Sequence, residues 1–289
     1  NWEVILSNFK FLRYAQQILS KGAIMANDVL RYFPYGFDTT KESTFLSYFL
    51  VYLFKFMNFF NSDVTLNYIS VIYPPLLFAV SLIFFFLFLR KILDYKIALL
   101  SSFFLAIIPI TLPKTVSGLL DKEPLAILFM FMTLYFFFSA WKSEKLRNVI
   151  ILAVLAGVSN GLMMLTWGGA QFLFILIALF MLTFTLLKKT TKEKLLIYGI
   201  WMVLGFSIPL IFSGRFTFFI FSRAVSSEVS LVVFMISLLS YSIYEKNLFN
   251  LKEKLKKYPK ALVLIVFSFL IGFLVISLFR GTSFLHDIL

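Results

Sequence analysis

Long apolar runs recur along this chain and restrict its fold more than any other feature. Of the 289 residues, 61% are hydrophobic and 39 are phenylalanine. A soluble protein has no core large enough to bury so much apolar surface, so the sequence predicts an all-α, polytopic membrane protein. We place eight crossings, near 65–89, 97–112, 124–141, 148–166, 170–187, 195–212, 224–244 and 261–279.

The basic residues between these runs predict the orientation of the chain. Every second loop, counted from Arg90, is basic, with sixteen Lys and Arg in all, whereas the other loops hold five. Lys and Arg concentrate in cytoplasmic loops. The net charge of +13 is therefore interpreted as a topology signal and not as a surface for nucleic acid. The alternation predicts that the N-terminal segment, Asp121 and Trp167 lie on the external face of a cell membrane, where any chemistry is expected.

Residues 1–64 are predicted to be an external loop, followed by a multi-helix transmembrane domain at 65–289. An amphipathic helix that ends near Lys21-Gly22 is indicated by apolar residues at helical spacing, which are Phe9, Leu12, Ala15, Ile18 and Leu19. The irregular stretch NDVLRYFPYGFD follows at 27–38. The apolar run at 45–60 would be about 24 Å long as a helix, short of the ~30 Å hydrocarbon core, which favours an interfacial helix.

The composition also excludes several classes of site. The chain has no cysteine, which excludes disulfides and thiolate metal sites, and its single histidine excludes a His-cluster zinc centre. No nucleotide-binding or common hydrolase motif occurs. Because the chain starts at Asn1 and stops soon after an apolar run, we expect a fragment that lacks both ends.

The stretch KTVSGLLDKEP, at 114–124, carries two carboxylates at the edge of a membrane crossing. Acids in such places are costly and often functional. Asp121 and Glu123 have two interpretations. They either complement the N-terminus of a helix that begins near Pro124, or bind a divalent cation, since hard cations prefer carboxylate oxygens.

Two further positions are candidates, each with a structural alternative. Asp28 is either a second acidic contributor or a loop aspartate that makes an Asx-turn. Trp167, before Gly168 and Gly169, is either part of a functional external turn or a membrane anchor at the interface.

Taken in order, these motifs resemble the catalytic subunit of oligosaccharyltransferase, particularly its archaeal form. The stretches that carry the resemblance are FLRYAQQIL, NDVLRYFPYG, KTVSGLLDKEPLAI and TWGGAQF. The resemblance implies the C-type glycosyltransferase fold, with external active-site loops and a Mn²⁺ or Mg²⁺ ion. It implies transfer of a lipid-linked, dolichol-type oligosaccharide to the asparagine of an N-x-S/T sequon in an acceptor polypeptide, in contact with membrane lipid and without nucleic acid.

The resemblance also implies roles for individual residues. Asp121 and Glu123 match the acidic motif of the family and would be catalytic metal ligands. Lys114 would contact lipid phosphate, and Asp28 and Trp167 would contribute to substrate binding.

Three departures from the family pattern leave alternatives open. Ser7 occupies the position of an acidic metal ligand, the family's catalytic-loop glutamate is not matched, and no WWD sequon-binding motif is present. We therefore expect this fragment to be inactive by itself. The alternatives are another glycosyltransferase of the same fold that uses polyprenyl-phosphate sugars, a non-catalytic homologue, or a transporter, although no paired half-repeats are visible.

Overall fold

The computed structural model describes residues 2–187, 189–218, 220, 224–247 and 260–280, with side chains from residue 9 onward and for part of 260–280. The helices are α1 (Trp2–Lys21), α2 (Phe45–Phe60), α3 (Leu66–Ile92), α4 (Tyr95–Ile107), α5 (Leu112–Thr115), α6 (Glu123–Trp141), α7 (Leu146–Thr166), α8 (Gln171–Leu186), α9 (Lys192–Phe212), α10 (Val225–Tyr244) and α11 (Lys260–Arg280). Two short antiparallel strands, β1 (Asn27–Asp28) and β2 (Phe37–Asp38), pair between α1 and α2.

Six helices in the described part of the chain are long and apolar enough to cross a membrane. They are α3, α6, α7, α8 with the 3₁₀ turn before it, α9 and α10. Each coincides with a predicted crossing, so the all-α, multi-pass prediction is confirmed. The other two predicted crossings correspond to α4, which has 13 residues, and to α11, which has 21, so the count of eight is approximate.

The predicted crossing at 97–112 differs most from the structure. Helix α4 ends at Ile107, and Ile108 takes an extended ψ of 126°. The reason is Pro109, whose ring disfavours helical backbone in the residue before it. The chain then turns into the four-residue helix α5, so that α4 and α5 together form the return path that one helix was predicted to make.

The bundle has two ends, which we call the Asp121 end and the Lys142 end. Helices α6 and α7 run antiparallel and are joined at 142–145, so α6 begins and α7 ends at the Asp121 end. Helix α3 begins at this end, because the Gly118 amide bonds to its Val71 carbonyl. It finishes at the other end, where the Lys142 ammonium bonds to the Lys91 carbonyl.

Close backbone approach fixes the pairing of α7 with α9. A Cβ atom at Gly157 would lie 2.7 Å from the Cβ of Leu204, and one at Gly161 would lie equally close to the Cβ of Ile208. Small residues are favoured where membrane helices pack tightly, since they let the backbones meet. Beside this contact, the fully buried Trp201 packs against Phe174.

The N-terminal segment packs onto the bundle, and the buried face of α1 agrees in part with the predicted apolar face, through Ala15 and Ile18. Helix α1 ends at Lys21 and α2 spans Phe45–Phe60, as predicted. From residue 9 onward, the buried side chains of α1 are Phe11, Tyr14, Ala15 and Ile18. Phe9, predicted on the buried face, is 67% exposed. The buried face of α1 contacts α2 and includes Tyr14, which belongs to a polar network. The spacing of apolar residues alone does not predict the burial of this polar side chain. The division at residue 64 stays a prediction.

That network ties α1 to the loop that follows it. Glu42 pairs with Lys10 through one carboxylate oxygen and with Arg31, at 2.5 Å, through the other. Arg31 also donates to the Tyr14 hydroxyl at 3.2 Å, and this hydroxyl donates to Asp28 at 2.8 Å. Three cations therefore share two carboxylates once the Arg13–Asp28 pair is included.

Burial raises the pKa of Glu42, but hydrogen bonds and charge attraction from Lys10 and Arg31 outweigh it, so the pKa lies below its ordinary value. A carboxylate with a depressed pKa in the folded state stabilises the fold above its unfolded-state pKa, about 4.3 for glutamate. This stabilisation is lost as the pH falls through the lower folded-state pKa.

Acidification should therefore loosen the N-terminal segment in a way that depends on Glu42. We expect Glu42→Gln to lower the stability of this segment at pH 7 by about 1–2 kcal/mol, because two charged hydrogen bonds are lost. We also expect it to reduce the further loss below about pH 4. Limited proteolysis in detergent between pH 7 and 3 measures both effects. Glu144→Gln, at an exposed glutamate of the Lys142 end, should match the wild type. An unchanged proteolysis profile for Glu42→Gln would contradict the assignment.

Candidate functional site

The candidate site is built on a carbonyl group that helix α3 cannot use for itself. Pro75 lies inside α3 and has no N–H, so the carbonyl of Val71, four residues earlier, lacks its helical donor. Two groups from the acidic segment donate to it instead. These are the Gly118 amide and the Ser117 hydroxyl, each at 3.0 Å. The proline thus provides an attachment point for residues 116–121.

Two other features hold this segment in place. Gly118 has a φ of +87°, a left-handed conformation that favours glycine and forms the turn. The hydroxyl of Tyr73, which is fully buried in α3, donates to the Asp121 carbonyl at 2.9 Å. The backbone that carries the acidic motif is therefore bonded to α3 on both sides of Leu120, whose side chain is buried.

The two carboxylates of the motif come directly after Leu120 in the chain. Asp121 precedes helix α6, and Glu123 is its first residue, so they do not share a regular helix. The Oδ1 atom of Asp121 accepts from the Lys122 amide at 2.6 Å, and the N-cap residue, Lys122, makes no side-chain cap. Asp121 therefore does not make the side-chain bond expected of a helix cap. Glu123 accepts a hydrogen bond from the Lys114 ammonium across nine residues of chain.

The chemistry of these donors fits a hard divalent cation, although the set is incomplete. In the described contacts, Oδ2 of Asp121 and Oε2 of Glu123 accept no hydrogen bond. Across the residues that the structure describes, no cluster of three Asp, Glu, His or Cys side chains is present. Mg²⁺ is commonly held by one or two carboxylates together with water and substrate phosphate. The residues present fit that open kind of site better than a closed protein cage.

Asp28 lies in a separate network. Its buried carboxylate bonds to Arg13, to the Tyr14 hydroxyl and to the Leu30 amide at 3.2 Å. The bond to Leu30, two residues on, is the Asx-turn that was the structural alternative for this residue. The described hydrogen bonds of Asp28 thus all stay within the N-terminal segment.

Trp167 closes helix α7 at the Asp121 end. Its amide bonds to the Met163 carbonyl at 2.8 Å, and its ring covers Gly169, where a Cβ atom would lie 2.4 Å from the indole. Nearby, the Ser43 hydroxyl bonds to the last carbonyls of α7, and the Arg215 guanidinium lies against Gly168. The Trp167 turn is therefore a junction of three segments, at the same end of the bundle as Lys114, Asp121 and Glu123.

Sequence reasoning missed the residues of α3 that position the motif, namely Val71, Tyr73 and Pro75. A signal was present, because two adjacent prolines in a membrane crossing leave two carbonyls without helical donors, and such groups need partners in hydrocarbon. Ser7 belongs to α1, but its side chain lies outside the described residues, as does the chain end that holds His286.

Comparison with known proteins identifies the family. Residues 8–279 match the family described as Oligosaccharyl transferase STT3, N-terminal. The chain is 26% identical over 148 residues to the STT3 subunit of a dolichyl-diphosphooligosaccharide–protein glycosyltransferase from Saccharomyces cerevisiae, covering 51% of the chain and 20% of that subunit. It is 24% identical over 229 residues to the corresponding Dictyostelium discoideum subunit, covering 78% of the chain and 31% of that subunit.

Solved structures show the same fold. The archaeal oligosaccharyltransferase AglB from Archaeoglobus fulgidus, in complex with an inhibitory peptide and a dolichol-phosphate, is similar with a TM-score of 0.73 and 22% identity, over 98% of this chain and 35% of that one. A complex of the Archaeoglobus fulgidus oligosaccharyltransferase with Zn and sulfate also has a TM-score of 0.73, at 21% identity, over 96% of this chain and 36% of that one. This chain thus spans between a fifth and about a third of these relatives. Since the family match covers nearly the whole chain, the chain belongs to the oligosaccharyl transferase STT3 family, in its N-terminal part.

Proposed function

We propose that this chain forms the membrane part of an oligosaccharyltransferase that moves a dolichol-type, lipid-linked oligosaccharide onto the asparagine of N-x-S/T sequons. The observation that carries the proposal is the acidic segment 114–123, which is bonded to α3 at one end of an STT3-family bundle. The related archaeal enzyme, described in complex with a peptide and a dolichol-phosphate, supports both an acceptor polypeptide and a lipid donor as partners.

In this proposal Asp121 and Glu123 hold a Mn²⁺ or Mg²⁺ ion through their open carboxylate oxygens. A bound divalent ion would supply Lewis-acid stabilisation and a template for the reacting groups. The related archaeal enzyme is described in complex with Zn and sulfate, which supports cation binding by that enzyme. Lys114 lies beside this pair and offers an ammonium group to lipid phosphate. Tyr73, which donates to the backbone of Asp121, positions that carboxylate without contacting substrate.

The remaining candidates act more indirectly. Asp28 is enclosed by Arg13 and Tyr14, so it contributes by shaping the loop at 29–36. Several side chains of that loop are exposed, among them Tyr32, Phe33 and Tyr35. Trp167 contributes through the junction of its turn with Ser43 and Arg215, at the same end of the bundle as the carboxylates.

The proposed function requires the Asp121 end to face the outside of the cell membrane. The loops at the Lys142 end are the basic ones, including Lys91, Lys142 and Lys194, and basic loops stay in the cytoplasm. In a chain without cysteine, single cysteines at positions 122, 145 and 167 can be labelled with an impermeant reagent in intact cells. We expect labelling at 122 and 167 and none at 145. Labelling at 145 alone would reverse the orientation, and position 256, also predicted to be cytoplasmic, lies outside the described residues.

Loss of either carboxylate should remove activity without unfolding the protein. In membranes that contain the complete enzyme, we expect Asp121→Ala and Glu123→Ala to lower glycosylation of a sequon peptide by about 100-fold or more, because a cation contributes several kcal/mol to the reaction. Asp63→Ala removes an exposed acid at the same end and should retain activity. A structural role predicts a lower melting temperature instead, equivalent to about 0.5–2 kcal/mol, with activity retained.

A non-catalytic homologue is the second candidate. The described part of the proposed metal site has two carboxylates, those of Asp121 and Glu123, and position 7, where the family has an acidic ligand, is serine. The two candidates differ in the turnover of the complete wild-type enzyme, since this fragment by itself is expected to be inactive. A catalytic subunit gives Mn²⁺-dependent turnover with lipid-linked donor and sequon peptide, whereas a non-catalytic homologue binds its ligands and gives none.

A further inference from the structure

The contact between Lys114 and Glu123 places an ammonium group beside a carboxylate that the proposed function assigns to a divalent metal ion. Lys114 lies in the short helix α5 and reaches Oε1 of Glu123, the first residue of α6. The side chain of Lys114 is 44% exposed and that of Glu123 is 24% exposed, so water and dissolved ions reach the pair. Exposed ion pairs are weak and exchange readily.

The chemical nature of the Lys114 side chain also makes the ion pair easy to break. An ammonium group is a compact point charge on a flexible stem and does not grip both carboxylate oxygens as a guanidinium does. Lys114 therefore holds one oxygen of Glu123, and the four-carbon stem lets its charge move away without any change in the backbone. A divalent ion beside Glu123 would repel the ammonium group at close range.

We propose that Lys114 is a resident counterion of Glu123 that competes with the divalent cation and, once displaced, turns to the phosphate of the lipid-linked donor. This inference rests on the proposed metal role of Asp121 and Glu123. Before the cation binds, Lys114 keeps the charge of Glu123 compensated at the membrane boundary. After displacement its ammonium group is available to an anion at the same end of the bundle, so cation and phosphate favour each other's binding reciprocally.

The competition is tested by titrating detergent-purified protein with Mn²⁺ and following free Mn²⁺ by electron paramagnetic resonance. Lys114→Met removes the competing charge and should bind Mn²⁺ about threefold to tenfold more tightly than the wild type. Lys114→Arg should bind no more tightly. Lys122→Met removes the same charge from a lysine whose side chain makes no described contact with Glu123, and should gain less Mn²⁺ affinity than Lys114→Met does.

Each outcome separates this inference from the proposed function. If Lys114→Met binds Mn²⁺ no more tightly, or if Lys122→Met gains as much, the competition is overturned while the metal site stands. If none of these proteins binds Mn²⁺ at millimolar concentration, or if Asp121→Ala with Glu123→Ala binds as the wild type does, the metal site fails and the competition fails with it. Melting temperatures of all variants show whether each is folded.

The proposed contact of Lys114 with phosphate is tested separately, by measuring the affinity of the protein for a short-chain polyprenyl phosphate with and without Mn²⁺. In the wild type we expect Mn²⁺ to strengthen binding, and in Lys114→Met we expect a smaller gain. If Mn²⁺ increases the affinity for polyprenyl phosphate equally in the two proteins, the proposed movement of Lys114 to the phosphate is overturned.

Discussion

The arrangement of the site depends on one carbonyl group, that of Val71, at the Asp121 end of α3. A peptide carbonyl in hydrocarbon needs a hydrogen-bond donor, and Pro75 denies one to Val71. Gly118 and Ser117 supply two donors from a different part of the chain. A carbonyl oxygen has two lone pairs, so both are then occupied. A break in a helix ladder thus becomes the attachment point for the segment that carries the acidic motif.

This attachment explains how two carboxylates are kept at a membrane boundary. The backbone of Asp121 is held by Tyr73, while its side chain keeps one oxygen open. Glu123 begins α6, where the helix dipole favours a negative charge, and Lys114 compensates it further. Asp121 is thus held through its backbone, and Glu123 through its place at the start of α6 and its contact with Lys114. Their outer oxygens stay available to a ligand, as the proposed cation site requires.

The sequence was most informative where one physical effect dominated. Length and hydropathy determine membrane crossings, so six of the predicted ones coincide with observed helices, and α2 has the predicted bounds. It was less informative where effects compete. Pro109 ends α4 early, and the buried face of α1 includes Tyr14, which bonds to Asp28, while Phe9 is exposed. The motif positions Asp121 and Glu123 were visible in the sequence. Their pairing with Lys114 and the supports from α3 depend on contacts between distant residues.

Hydrogen exchange at the Gly118 amide tests the central claim most directly. Pro75→Ala restores a helical N–H four residues after Val71, and this donor competes for an oxygen that is already fully occupied. We expect peptides that span 117–121 to exchange faster in Pro75→Ala than in the wild type. Pro74→Ala is the matched control, because it restores a donor to Ser70, whose carbonyl makes no described bond to the acidic segment. Equal protection of 117–121 in all three proteins would contradict the account.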